Sequence, residues 1–278
     1  MIQVGAVKIP WGQSMFPDHS LLVKIDPEEA FNNYFGSIKI SWFYEGDAEL
    51  FTLICVKRHL DYHFSNMKVV LEMPYIPHAR MDRVKTSEDV FTLKYFCEVL
   101  NSLNFETVYV RDAHSNVSLA LINNVCEESA EWWIKTATQG YNAEALFFPD
   151  EGAMKRYSSN SSLPYAFGMK KRDWTTGQIL GLDLINADVI KGKRVLIVDD
   201  ICSRGGTFYH SAKALLAAGA ASVALYVTHL EETVFLGDLT PELIDRIYTT
   251  PSIFPRKRVE DIKATDGENW IDVMNEYD

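Results

Sequence analysis

Two adjacent carboxylates, Asp199 and Asp200, close the run "RVLIVDD" at residues 194–200, and a turn of Ser203, Arg204, Gly205, Gly206 and Thr207 follows. A Gly-Gly turn entering a helix exposes several backbone N–H groups, and the helix N-terminus adds a favourable dipole, so the turn suits a phosphate. Asp199 and Asp200 would repel a phosphate and suit hydroxyl groups instead. A sugar carrying a phosphate satisfies both halves of the motif. A plain strand-turn-helix junction with two solvated acids fits less well, because the acids come straight after Val195, Leu196, Ile197 and Val198.

The elements that must hold these groups read as an α/β fold. Strands are predicted at 67–76, 106–114, 143–150, 194–200 and 222–229, and helices at 87–104 and 207–220, the latter closed by Gly219. Continuous Val/Ile/Leu runs alternating with amphipathic helices predict mainly parallel sheets covered on both faces. Polar groups recur where strands end: Asp112, Asp150, Asp199, Asp200, Thr228 and His229. In open α/β sheets, ligands bind at the carboxyl ends of strands. The two halves carry similar punctuation, with a seam expected near "TATQGYNAE" at 136–144.

The totals set bounds. A chain of 278 residues with 47% hydrophobic content can bury a large core, and a net charge of -11 argues against a nucleic-acid groove. No apolar run approaches the length of a membrane span. The N-terminus "MIQVGAVKIPWGQSM" lacks the order of a signal peptide. Cys55, Cys97, Cys126 and Cys202 are scattered without metal-ligand spacing and read as free thiols, so a cytoplasmic protein is expected.

"VLIVDDICSRGGTF" resembles the ribose-5-phosphate loop of phosphoribosyl diphosphate (PRPP) synthetases and, more loosely, of type I phosphoribosyltransferases. Further motifs follow in the synthetase order. "FPDHSLLVKI" (16–25) is similar to the segment that reaches a neighbouring subunit's adenine; Phe16 would stack on the base, with Asp18 and Ser20 as polar contacts. The family usually has Glu where Ser20 stands. "MPYIPHARMDRV" (73–84) resembles a Pro-Tyr-x-x-Tyr-Ala-Arg-Gln-Asp signature in which Arg80 meets ATP phosphates and Asp82 fixes the loop. Here His78 replaces the Tyr and Met81 the Gln. "VRDAHS" (110–115) resembles an Asp-Leu-His segment, with His114 on the ATP phosphates or a magnesium ion and Asp112 beside it. "FFPDEGAMKRY" (147–157) resembles the pyrophosphate loop: Asp150 as a magnesium ligand, Gly152 for close backbone approach, Lys155 and Arg156 along the rim. "AFGMKKRDW" (166–174) resembles the stretch opening the catalytic loop, with Lys170 and Arg172 on the transferring group, and "DWTTGQILGLDL" (173–184) the mobile lid. "YVTHLE" and "YTTPSI" complete the order, while the C-terminal stretch from Arg256 looks shorter than the family's usual ending. Taken alone, each stretch reads as an ordinary loop or charged surface; their order carries the resemblance.

The resemblance implies two tandem type I phosphoribosyltransferase-like domains, 1–140 and 141–278. It implies a Mg2+-dependent diphosphoryl transfer from ATP to the anomeric hydroxyl of ribose 5-phosphate, in a dimer-based homo-oligomer that could reach a hexamer, with no nucleic acid or membrane partner. One departure stands in the sugar-phosphate loop. Ser203 replaces the usual third Asp and Arg204 the usual Thr. An added positive charge there could grip a monoester harder, or face the further phosphate of an acceptor such as ADP-ribose, whose product would feed NAD synthesis. Two other readings stay open. A regulatory homologue has lost catalytic residues, and a plain phosphoribosyltransferase consumes PRPP with a base and needs no ATP.

Overall fold

The computed structural model describes residues 1–5, 7–9, 15–31, 35–172, 179–254 and 270–275, without the side chains of 170–172 and 179–181. Two compact units divide the chain, Met1–Glu128 and Ser129–Asp278.

The first unit runs β1 (Ile2–Val4), β2 (Val7–Ile9), α1 (Pro27–Ala30), β3 (Ser37–Trp42), α2 (Glu49–His63), β4 (Lys68–Glu72), α3 (Thr92–Ser102), β5 (Val108–Arg111), α4 (Asn116–Leu121) and β6 (Val125–Glu128). Its sheet has the order β2-β1-β3-β4-β5-β6, with β3 to β6 parallel and β1 antiparallel to both of its neighbours. Helix α2 places Leu53, Val56 and Leu60 in the core at i, i+3 and i+7, the spacing of one helical face. Helix α3 begins later than its apolar spacing predicts. Asp89 Oδ2 accepts from the backbone N–H groups of Lys85 and Thr86, both at 2.8 Å, and this turn keeps residues 85–89 out of the helix.

The second unit runs α5 (Glu131–Tyr141), β7 (Ala145–Phe148), α6 (Glu151–Tyr157), β8 (Tyr165–Arg172), β9 (Ile179–Ile185), β10 (Arg194–Cys202), α7 (Gly206–Ala217), β11 (Ser222–Leu230), β12 (Ile247–Thr249) and β13 (Ile271–Val273). The sheet order is β13-β12-β11-β10-β7-β8-β9, parallel except for the β8/β9 hairpin at its edge. Successive side chains of β10 part to opposite faces. Val195 and Ile197 join a core with Phe208, Ala212 and Leu215 of α7, while Leu196 and Val198 join another with Trp133, Ile134 and Ala137 of α5. Burial on both faces removes any need for polar alternation, hence the unbroken apolar run.

The fold is therefore α/β, with two mainly parallel sheets flanked by helices, as predicted. The expected lid at 173–184 needs correction in its second half. Residues 173–178 lie outside the described residues, but Ile179–Leu184 is edge-strand backbone paired antiparallel with β8. The C-terminal stretch lies outside the described residues at 255–269. All four cysteines are free, and burial pushes the Cys97 thiol up to about 11. No helix among the described residues is long and apolar enough to cross a membrane.

Candidate functional site

In the first unit the "FPDHS" stretch is a tight turn. The N–H of Phe16 donates to the Ser20 carbonyl and that of His19 to the Phe16 carbonyl, both at 2.9 Å. Asp18 Oδ1 accepts from the Ser20 hydroxyl at 2.7 Å and from its N–H at 3.0 Å, which holds the Asp18 carboxyl below the usual carboxylate range. Phe16 is left 51% exposed, so a large apolar ring stands in solvent beside a fixed carboxylate.

Two loops of the same unit meet. Arg83 binds Asp82 through Nε at 2.8 Å and Nη2 at 3.2 Å and holds that carboxyl below its ordinary range; a hydrogen bond with Ser115 and the charge of His114 act in the same direction. The structure thus brings Asp82 to the His114–Ser115 turn at the carboxyl end of β5. Arg80 and His114 are exposed, whereas Asp112 is buried with a left-handed φ of 44° and takes its backbone N–H to the Glu128 carbonyl. His78 lies 3.0 Å from Asp47 through Nε2. Arg83 and Ser115 lie within the two quoted motif stretches, which assign them no role.

In the second unit β7 delivers Asp150 to the start of α6, where Oδ1 accepts from the Ala153 N–H at 3.1 Å. Gly152 is exposed in the first turn, and a Cβ there would lie 3.2 Å from Asp150 Oδ1. Lys155 pairs along the helix surface with Glu151 at 2.8 Å. Arg156 rests over the Tyr157 ring and reaches Asp200, Nη1 to Oδ2, at 3.8 Å. The pyrophosphate-loop stretch and the paired acids of β10, predicted separately, come together through this contact. Asp199 Oδ1 accepts from the Asp200 N–H at 3.0 Å, and Asp200 is 9% exposed.

The turn after β10 enters α7 through Gly205, whose φ of 77° lies in the left-handed region that favours glycine. No side chain caps α7, and Gly206 and Thr207 are exposed, so the first N–H groups of a twelve-residue helix face outward at the turn. Arg204 is exposed and pairs with no described acid. Lys170 lies on β8 opposite Leu182 and Arg172 opposite Ile179, with a register shift between Lys171 and Arg172; their side chains lie outside the described residues. Beneath the neighbouring strand ends, the Thr228 carbonyl accepts from Thr250 at 2.8 Å and Ser252 at 3.1 Å, and His229 Nδ1 meets Ser252 Oγ at 2.9 Å.

Among the described residues no group of three or more His, Cys, Asp or Glu could hold a metal by itself. Carboxylate oxygens standing in ones and twos fit Mg2+, which keeps several waters and takes substrate phosphate oxygens in place of an all-protein cage.

A parallel sheet with paired acids at a strand end, followed by an uncapped glycine turn into a helix, is the architecture of a phosphoribosyltransferase-type domain. Residues 154–234 match the Phosphoribosyl transferase domain family. The chain is 31% identical to the ribose-phosphate pyrophosphokinase of Pyrococcus furiosus over 175 residues, which is 60% of this chain and 59% of that protein. It is 24% identical to that of Sulfurisphaera tokodaii over 263 residues, 91% of this chain and 87% of the relative. The crystal structure of phosphoribosylpyrophosphate synthetase from Mycobacterium smegmatis superposes with a TM-score of 0.70 at 16% identity, covering 98% of this chain and 87% of that one. The Pyrococcus match thus spans less than two thirds of its relative, while the Sulfurisphaera match runs nearly end to end. The chain is thus similar in sequence to ribose-phosphate pyrophosphokinases, or PRPP synthetases, and shares the fold of one.

Proposed function

We propose that this protein transfers the diphosphoryl group of ATP to the anomeric hydroxyl of ribose 5-phosphate. The hydroxyl oxygen bonds to the β-phosphorus, the bond from that phosphorus to the α,β-bridging oxygen breaks, AMP leaves, and the hydroxyl proton passes to solvent. The observation that carries this reading is the run from Asp199 and Asp200 into the uncapped, glycine-entered α7, with Arg156 at 3.8 Å from Asp200. Two carboxylates accept from the ribose diol, and backbone N–H groups with Thr207 receive the 5-phosphate.

The nucleotide is assigned to groups of the first unit. Phe16 offers a face for the base, the Asp18 carboxylate an acceptor for its amino group, and Arg80 and His114 donors to the phosphates. Asp82 holds the His114 turn in place. His114 and Asp112 in the first unit and, separately, Asp150 in the second are each assigned to Mg2+ with phosphate oxygens and water. When bound, the ion neutralises charge on the ATP oxygens. Lys170 and Arg172 stabilise charge at the transferring group, while Gly152 and Lys155 border the diphosphate. A homo-oligomer, in which a neighbouring subunit completes the nucleotide site, and a cytoplasmic setting belong to the same reading.

A second acceptor is favoured by Arg204, an exposed guanidinium on the phosphate turn that no described acid neutralises. It suits the second phosphate of ADP-ribose, with the same chemistry at that molecule's free ribose. The decisive assay supplies ATP, Mg2+ and either acceptor and follows AMP. Release with ribose 5-phosphate is the expected result. Release with ADP-ribose alone would transfer the proposal to that acceptor. No AMP with either would favour a regulatory homologue, and PRPP consumed with a base in the absence of ATP would make the protein a phosphoribosyltransferase. Arg204→Ala is expected to raise the KM of the true acceptor roughly tenfold, the loss of one charge-assisted contact, with the KM of ATP unmoved.

A further inference from the structure

We propose that the segment Glu231–Leu239 is the positioning element of the sugar-phosphate turn, and that Ser203 serves as its tether and not as a phosphate donor. The inference rests on the assignment of that turn made above and deepens it. Three consecutive turn residues meet the segment. Ser203 Oγ lies 3.0 Å from Thr233 Oγ1. The Arg204 carbonyl packs so closely on Gly237 that a Cβ at 237 would fall 1.8 Å from its oxygen. Gly205 packs on Leu239, where a Cβ on the glycine would fall 2.4 Å from Cδ1. The segment is itself anchored. The Glu231 N–H donates to the Cys202 carbonyl at 2.8 Å, Val234 is buried, and the Gly237 N–H closes on the Val234 carbonyl at 3.1 Å.

Counting hydrogens sets the direction of the hydroxyl chain. Thr233 Oγ1 donates to Glu231 Oε2 at 3.2 Å. An ionised carboxylate only accepts, and a hydroxyl has one hydrogen to give. Thr233 has therefore spent its hydrogen, and in the 3.0 Å contact Ser203 is the donor. Ser203 Oγ then has only lone pairs to offer. A phosphate ester dianion likewise offers only acceptors, so the two do not pair. The phosphate is left to the N–H groups of the turn and to Thr207. What Ser203 contributes is geometry: its link to Thr233, with the close packing at Gly237 and Leu239, sets the Arg204–Gly205 peptide and hence the aim of the first N–H groups of α7.

The test is a double-mutant cycle read on substrate constants. Thr233→Val keeps the shape and removes both hydrogen bonds; Ser203→Ala removes the tether from the other side. Each is expected to raise the KM of ribose 5-phosphate roughly three- to tenfold with the KM of ATP unchanged, and the double variant is expected to be no worse than the worse single. Thr233→Ser, which keeps the hydroxyl, restores the wild-type constant. Hydrogen exchange at residues 203–207 speeds in Thr233→Val and in Gly237→Ala, which reads the turn itself even if Gly237→Ala loses activity. Multiplicative effects, or an impaired Ser203→Ala beside a silent Thr233→Val, would make Ser203 a direct ligand and overturn the tether. A wild-type protein that turns over ribose 5-phosphate while exchange and KM ignore Thr233→Val overturns this inference alone. A wild-type protein that neither binds nor uses the sugar phosphate overturns the site assignment, and the inference with it.

Discussion

Replacing both Asp199 and Asp200 by Asn is expected to lower kcat/KM for the sugar phosphate about a thousandfold while the protein stays folded. Each carboxylate is assigned to hydroxyl groups of the ribose, and a hydrogen bond to a charged acceptor contributes roughly 1.5–3 kcal/mol. Two such losses give roughly 3–6 kcal/mol, which brackets a thousandfold. Asn keeps the size and the Oδ1 acceptor, so the 3.0 Å bond from the Asp200 N–H to residue 199 can persist. The contact given up with Arg156 is 3.8 Å long, between side chains 30% and 13% exposed, and pairs of this kind contribute up to about 1 kcal/mol. The apolar run beneath, Val195 to Val198, is untouched and fully buried. Steady-state kinetics and a thermal melt on the same preparations separate the two effects. Activity within tenfold of wild type would remove the diol from these carboxylates.

What could be seen in the sequence follows from how each element is held. β10 is visible because both of its faces are buried, so Val195–Val198 stand as a block, whereas its end is not, since pairing runs past Asp199 and Asp200 to Cys202. α7 was visible because Phe208, Ala212 and Leu215 repeat on one face. β1 and β2, three residues each, are too short for a pattern to show. β6, "VCEE", is exposed along nearly its whole length and has no alternation to read. β9 reads as lid in the sequence because an edge strand is marked by its partner more than by its own residues, and here the partner is β8 across a hairpin. Among the candidate site residues, Arg80 and His114 in the first unit and Asp150 and the 199–207 run in the second are the ones that order and type mark in the sequence. Thr233 and Gly237 were not. Thr233 matters only through Ser203, thirty residues earlier, and Gly237 only through the Arg204 carbonyl. A residue whose effect lies in what it packs against leaves no local signature.

Lys170→Ala is expected to lower kcat roughly a thousandfold with the KM values of both substrates within about threefold, since removing a group that acts on charge developing in the transition state affects the chemical step far more than binding. The backbone gives this residue a precise address. β8 lies next to β7, which delivers Asp150, and β7 lies next to β10, which delivers Asp199 and Asp200, so Lys170 is carried on the same parallel array of strands as both acidic groups. The β8/β9 pairing holds Lys170 opposite Leu182 before the register shifts between Lys171 and Arg172. That shift means the two basic residues do not simply repeat each other along a regular strand, and their variants should differ. Lys170→Arg keeps the charge but exchanges a compact ammonium for a planar fork, and it is expected to recover only part of the lost rate. Rapid-quench measurement of AMP formation in a single turnover distinguishes a slowed chemical step from slowed product release. If Lys170→Ala keeps the wild-type single-turnover rate, the transferring group is not stabilised by Lys170, and Arg172 on the same strand, then Lys155 and Arg156 of the α6 stretch, become the groups to substitute next.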